Sequence, residues 1–274
     1  MTPPTITVVV AQCVQRSFIS PLPGPDPRLK PCHLHCGYAN AVRLLGGGPQ
    51  RLPNVLEDFL WHAHGGEEGT LPGAELVHVV YVDDEHHDDG SELTREHFAQ
   101  FGRHCVPGEV DERGVAGYLG TGRTAEWREL RNGRTHVVRT PGLNDNMFGT
   151  GFIPVLTSIC QEAEDVYGVR PEDIQILNIG GWSIIKELFC GVWELMHHGI
   201  PDYREPDNRE ATIRFRRVAL SDALSYSVQR EHHNIALDIT RMIGGIVLRT
   251  PEDALAFCGL RRIGERERIP LATP

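Results

Sequence analysis

The chain has 274 residues, 40% hydrophobic and 23% charged, a composition that fits a soluble globular protein with enough length for a substantial core. Its 27 basic and 37 acidic side chains leave a formal charge of −10, which argues against nucleic acid as a partner, and no apolar run approaches the ~20 residues of a membrane span. Seven cysteines at irregular spacing suit reduced thiols better than a disulfide framework, and no basic region precedes the short apolar run near the N-terminus, so a cytoplasmic location is expected.

Ile6 to Ala11 is a near-continuous apolar run, the pattern of a parallel strand covered on both faces. Cys13, Gln15, Ser17 and Phe18 follow it. Ser20 to Lys30 is rich in proline and reads as loop, and it leads to Cys32-His33-Leu34-His35-Cys36. Four potential ligands in five residues invite a zinc reading. Structural zinc sites usually join two separated pairs, however, and no clear second pair follows. A helix is expected over Val55 to Ala63, capped by Asn54, with His62 and His64 near its end, where the helix dipole favours a histidine.

Leu76 to Val82 reads as the second strand and runs into Asp83-Asp84-Glu85-His86. An Asp-x-His at that point puts a carboxylate and an imidazole at the C-terminal edge of a strand, where open α/β sheets bind ligands. Together with the later His104, Asp84 and His86 would suit one divalent ion, zinc first, with iron or manganese as alternatives. His136 to Thr140 reads as a third strand, Phe152 to Tyr167 as a helix and Ile174 to Ile179 as a fourth strand. A Gly180-Gly181-Trp182 turn then opens a long helix that ends near His197-His198. Pro201 to Arg209 is polar and reads as an inserted loop. Val218 to Ala223 is a fifth strand, Glu231 to Ile243 a helix, Ile246 to Leu248 a sixth strand, and Pro251 opens a last helix. This alternation predicts one domain over residues 1–274. Its fold class is α/β, three-layer and doubly wound, with a mostly parallel six-stranded sheet and helices on both faces.

Several of these stretches resemble the isochorismatase-like hydrolases, and among them the nicotinamidases. Val79 through His86, followed by His104-Cys105-Val106-Pro107-Gly108, resembles the segments that carry that family's metal ligands, and all three ligand positions match: Asp84, His86 and His104. Gln15 and Phe18 match the end of the family's first strand, and Gly181 and Trp182 lie in the turn that opens its nucleophile helix. These four are the expected pocket residues. The family fold agrees with the alternation above, relatives often pair into homo-oligomers, and the resemblance implies a small-molecule ligand.

The three catalytic positions depart from the family. Its amidases attack a carbonyl with a thiolate, with an Asp as base and a Lys beside them. Here Cys13 stands at the base position. Arg139 or Thr140 stands at the lysine position, Arg139 being favoured. Glu187 stands at the nucleophile position in one register and Lys186 in the other. Lysine is nearly absent from the chain, with only Lys30 and Lys186. Three outcomes are compatible with these residues. Cys13 and Glu187 could act as an exchanged thiol and carboxylate, with Arg139 beside the thiol. The ion could support hydrolysis of a C–N bond with Glu187 as base. Alternatively, the chain could be a catalytically inactive pseudo-hydrolase that binds a small molecule or serves an assembly.

Overall fold

The computed structural model describes residues 3–14, 52–66, 71–86, 90–92, 94–96, 133–140, 151–181, 190–225 and 230–262. Six strands form one sheet: β1 (Thr7–Gln12), β2 (Val77–Asp84), β3 (Thr135–Thr140), β4 (Gln175–Gly180), β7 (Arg217–Ser225) and β8 (Ile246–Leu248). Their order is β3-β2-β1-β4-β7-β8 and every pairing is parallel. The short strands β5 (Ile200–Pro201) and β6 (Thr212–Ile213) make a separate antiparallel pair.

Alternation along β1 builds the two cores. Val9 and Ala11 face one side with Val79, Tyr81, Leu177 and Ile179, covered by helices α1 (Leu52–Ala63) and α5 (Pro251–Phe257). Val8 and Val10 face the other side with Val80, Val82, Ile176 and Leu220. That side is covered by α2 (Phe152–Tyr167), α3 (Cys190–Trp193, continued by a π-helical turn at Glu194–His198) and α4 (Arg230–Met242). This is the expected three-layer, doubly wound arrangement. Burial of β1 on both faces explains why its sequence lacks a polar alternation.

The helix ends follow local chemistry. Gly168, at φ 64°, closes α2 in the left-handed conformation that glycine adopts without penalty. Thr250 caps α5 by accepting from the Asp253 N–H, while the Asp253 carboxylate accepts from the Thr250 N–H. Those hydrogen bonds hold the Asp253 carboxyl below the usual range.

Several sequence expectations shift in detail. Helix α1 begins at Leu52, so Asn54 stands inside its first turn rather than ahead of it; Pro53 is tolerated there because a first-turn N–H has no helical partner. The polar segment after Pro201 is the connection of the β5–β6 hairpin. It is fastened to α2 and the turn before β4: Tyr203 Oη donates to Glu164 Oε2 at 2.7 Å, and Arg204 binds Glu172 at 2.6 Å and Asp202 at 2.7 Å. His62 and His64 are buried and hydrogen-bonded rather than left to the helix dipole. His62 Nδ1 donates to the Asp58 carbonyl at 2.7 Å. His64 contacts Tyr81 Oη at 2.9 Å and Thr135 Oγ1 at 3.2 Å, joining the end of α1 to β2 and β3. At the far side of the sheet His233 Nε2 of α4 donates to Asp222 Oδ1 at 2.6 Å, and Arg249 binds Asp222 Oδ2 at 2.8 Å. Burial alone would raise the Asp222 carboxyl; those two partners outweigh it and hold it below its usual value.

His78 of β2 and His136 of β3 stack, with Nδ1 and Nε2 3.4 Å apart. Burial first, then His136 and Arg134, lower the His78 pKa from 6.5 to about 4. The unfolded chain therefore takes up this proton first. The neutral ring's contribution is complete above pH 6.5 and is lost as pH falls toward 4. Unfolding free energies from urea titrations between pH 7 and pH 4 should fall more steeply for the native chain than for His78→Leu, by up to about 3 kcal/mol. Parallel curves would contradict this.

Candidate functional site

The site begins at the end of β1, which pairs in parallel with β2 on one side and β4 on the other. The sheet order reverses between β1 and β4, and a crevice opens at the C-terminal ends of strands at such a switch point. The β1 terminus is held from both directions. The Cys13 N–H donates to the Val82 carbonyl at 2.9 Å, and the Gly181 N–H donates to the Gln12 carbonyl at 2.7 Å.

This packing is tight enough to dictate residue type. A Cβ on Gly180 would lie 2.4 Å from the Gln12 oxygen and 2.6 Å from Val14 Cγ2, and the residue has φ +77°. Cys13 itself takes φ +50°, a left-handed conformation that costs a residue with a Cβ about 1–2 kcal/mol. The chain thus leaves β1 through a strained residue while both flanking strands still hold its backbone.

Cys13 is fully buried, and its Sγ lies 3.7 Å from Asp84 Oδ2 as a thiol–carboxylate hydrogen bond. Asp84 is the last residue of β2 and is 7% exposed. His86, two residues on and 4% exposed, has its Nε2 4.0 Å from the same Oδ2. Three candidate site residues from two strand ends thus meet around one carboxylate oxygen.

Carboxylate, imidazole and thiolate are donor types that a divalent ion takes. A zinc-bound oxygen and nitrogen at a tetrahedral angle are about 3.4 Å apart, and a bound sulfur and oxygen about 3.5 Å. The sulfur–oxygen distance is already close to this, and the imidazole needs to close by roughly half an ångström. Among the described residues no group of three or more His, Cys, Asp or Glu side chains could hold a metal ion. His104, the third expected ligand, lies outside the described residues, as do Gln15, Phe18, Trp182, Lys186, Glu187 and the Cys32 to Cys36 cluster.

Arg139 is placed differently from the thiol. Its register partner on β2 is Asp83, whereas Asp84 is aligned with Thr140. The Arg139 side chain is 61% exposed and its Nη1 binds Glu85 Oε2 at 3.0 Å. The charged group shown in contact with Cys13 Sγ is the Asp84 carboxylate. Gly181 reaches the site through its backbone, but its N–H is already given to Gln12. Of the other thiols, burial pushes Cys160 up to about 12 and raises Cys258 further, so neither is a ready thiolate.

The Gly180–Gln12 approach and the roles of His62 and His64 were the features the sequence concealed. A Gly-Gly pair after a strand hints at the first. Nothing in the local pattern around His64 signals Tyr81 and Thr135, which come from distant strands.

No known family's sequence model matches the chain, and no curated protein does. Solved structures do match. A pyrazinamidase/nicotinamidase from Streptococcus mutans is 12% identical with a TM-score of 0.54, over 88% of this chain and 99% of that one. A nicotinamidase/pyrazinamidase from Bacillus subtilis is 14% identical with a TM-score of 0.54, over 89% and 100%. An isochorismatase-like hydrolase from Alkaliphilus metalliredigens is 12% identical with a TM-score of 0.51, over 92% and 98%. The chain has the fold of the nicotinamidases and isochorismatase-like hydrolases.

Replacing Gly180 with alanine should force β1 and β4 apart at the rim. Thermal unfolding of Gly180→Ala should show a loss of about 2 kcal/mol or more, since strain and overlap with a backbone oxygen act together. An unchanged melting temperature would mean that the close approach is not required.

Proposed function

We propose that the chain hydrolyses a C–N bond of a small amide at the rim of β1, β2 and β4, beside a divalent ion. The observation that carries this reading is the meeting of Asp84, His86 and Cys13 around one buried oxygen at the sheet's switch point. The fold, shared with proteins described as nicotinamidases and pyrazinamidases, supports an amide substrate.

In this reading Asp84, His86 and His104 hold the ion. Such an ion, when bound, polarises a carbonyl or lowers the pKa of a water molecule. The protein's own groups do the rest. Glu187 takes the proton from the attacking water. Arg139, still half in solvent, orients an anionic substituent, since a guanidinium keeps its charge and does not shuttle protons. Gln15, Phe18, Gly181 and Trp182 are the residues that the resemblance assigns to the pocket. The exchanged-pair alternative, with Cys13 as nucleophile, is less well supported because a carboxylate is in contact with the thiol while Arg139 is paired with Glu85.

A second reading has its own support. All three family catalytic types are absent from their positions, and Cys13 is fully buried. The chain would then bind a small molecule without turning it over. The free thiols of Cys160 and Cys258 suit a reducing compartment such as the cytoplasm.

The experiment is elemental analysis of the purified protein followed by assays on a panel of small amides with and without chelator. Turnover should stop under chelation and return with zinc, iron or manganese. Asp84→Asn and His86→Ala should lower kcat/KM at least about a hundredfold, and metal content should fall with it. Turnover that survives both chelation and these substitutions would refute a metal-supported reaction. Ligand binding without turnover on any amide would favour the second reading.

A further inference from the structure

The start of β3 is tied to the sheet by imidazoles on both of its faces. Among the described residues β3 pairs with β2 alone, and the Val79 N–H donates to the Arg134 carbonyl at 2.8 Å where the two strands meet. On the α1 side Thr135 Oγ1 lies 3.2 Å from His64 Nδ1. On the α2 side, where Val80, Val82 and Val138 enter the core, His78 Nδ1 lies 3.4 Å from His136 Nε2 and the rings stack. We infer that this end of β3 is an acid-operated clasp. Protons taken up by the His78–His136 pair part the strand from β2 and loosen its far end, Arg139 and Thr140, at the rim.

The pair holds only while a ring nitrogen of one histidine accepts from the other. Two imidazolium rings have no acceptor between them, and they repel. The first proton is opposed as well. Burial, then His136 and Arg134, bring the His78 pKa down to about 4, and burial also lowers that of His136. The other neighbours offer no compensating charge. Val8 of β1 stands beside His78 in register, and α2 turns Phe152, Leu156, Ile159, Cys160 and Ala163 inward. Of the α2 carboxylates, Glu162 and Asp165 are exposed and Glu164 is bound to Tyr203.

In the parted state both rings reach water and regain an ordinary pKa, so that state takes up protons first as pH falls below 6.5. Parting becomes easier from there toward pH 4. The change at His78 alone multiplies the parting equilibrium about a hundredfold by pH 4. A six-residue strand with one described neighbour opens at lower cost than β1 or β4, which are paired on both edges. Its register then carries the opening to the rim, because Arg139 is aligned with Asp83 and Thr140 with Asp84. The bearing on the site rests on the function proposed above, whereas the clasp itself does not.

The test is hydrogen exchange of the full chain, read by mass spectrometry from pH 7 to pH 4, with labelling times scaled for the intrinsic exchange rate. Amides of Thr135–Thr140 should lose protection about a hundredfold more than those of β1 and β4. The excess loss should vanish in His78→Leu/His136→Leu, and the comparison of strands within the native chain stands without that variant.

Protection that falls equally in every strand, or that does not change in β3, would overturn the clasp. Loss confined to Thr135 and His136, with Arg139 and Thr140 still protected, would overturn its link to the rim. Failure to hydrolyse any amide leaves these exchange readings unchanged, so the clasp and the proposed function fail separately.

Discussion

The site depends on how tightly the end of β1 is clamped. The strand is covered on both faces and paired on both edges, so its direction is fixed along its whole length. At its terminus the Gln12 carbonyl receives the Gly181 N–H, and the Cys13 N–H reaches Val82. Only a residue without a Cβ fits at position 180, because the Gln12 oxygen fills that space. The same clamp sets the left-handed turn at Cys13 that brings its sulfur to Asp84. Loosening it would disperse the three side chains by more than metal ligation or catalysis tolerates.

The chemistry that this framework supports differs from what the fold alone suggests. Sulfur stands at the position the resemblance gives to a catalytic carboxylate, and it contacts the Asp84 carboxylate. Arg139 is turned to Glu85 at the surface. In the proposed reading, an ion beside Asp84 and His86 would supply positive charge at the rim, where the resemblance expects a lysine. One fold supports many reactions, so the site decides the chemistry.

Much of this was legible in the sequence, for identifiable reasons. The apolar run at Ile6 to Ala11 encodes a strand buried on both faces, and the boundaries of Phe152–Tyr167 and Ile246–Leu248 follow from periodicity and from Gly168. The place of Asp84 at the end of β2, with His86 two residues on, was readable because the apolar run of the strand stops there. Other features depend on tertiary partners and leave no local trace. The β5–β6 hairpin is held by Arg204 and Tyr203 against α2, so its polar sequence read as a plain loop. His64 looked like a helix-end residue because Tyr81 and Thr135 are brought to it only by the folded sheet. The sequence favoured Arg139 over Thr140 at the strand end without fixing the register. Strand register separates them, by aligning Thr140 with Asp84 and Arg139 with Asp83.

The most direct measurement is a crystal structure of the zinc-loaded protein with anomalous diffraction collected on both sides of the zinc edge. The account predicts one strong peak at the C-terminal rim of β1 and β2, within bonding distance of Asp84 and His86. A peak held only by the Cys32 to Cys36 cluster, or none at the rim at full zinc occupancy elsewhere, would contradict it.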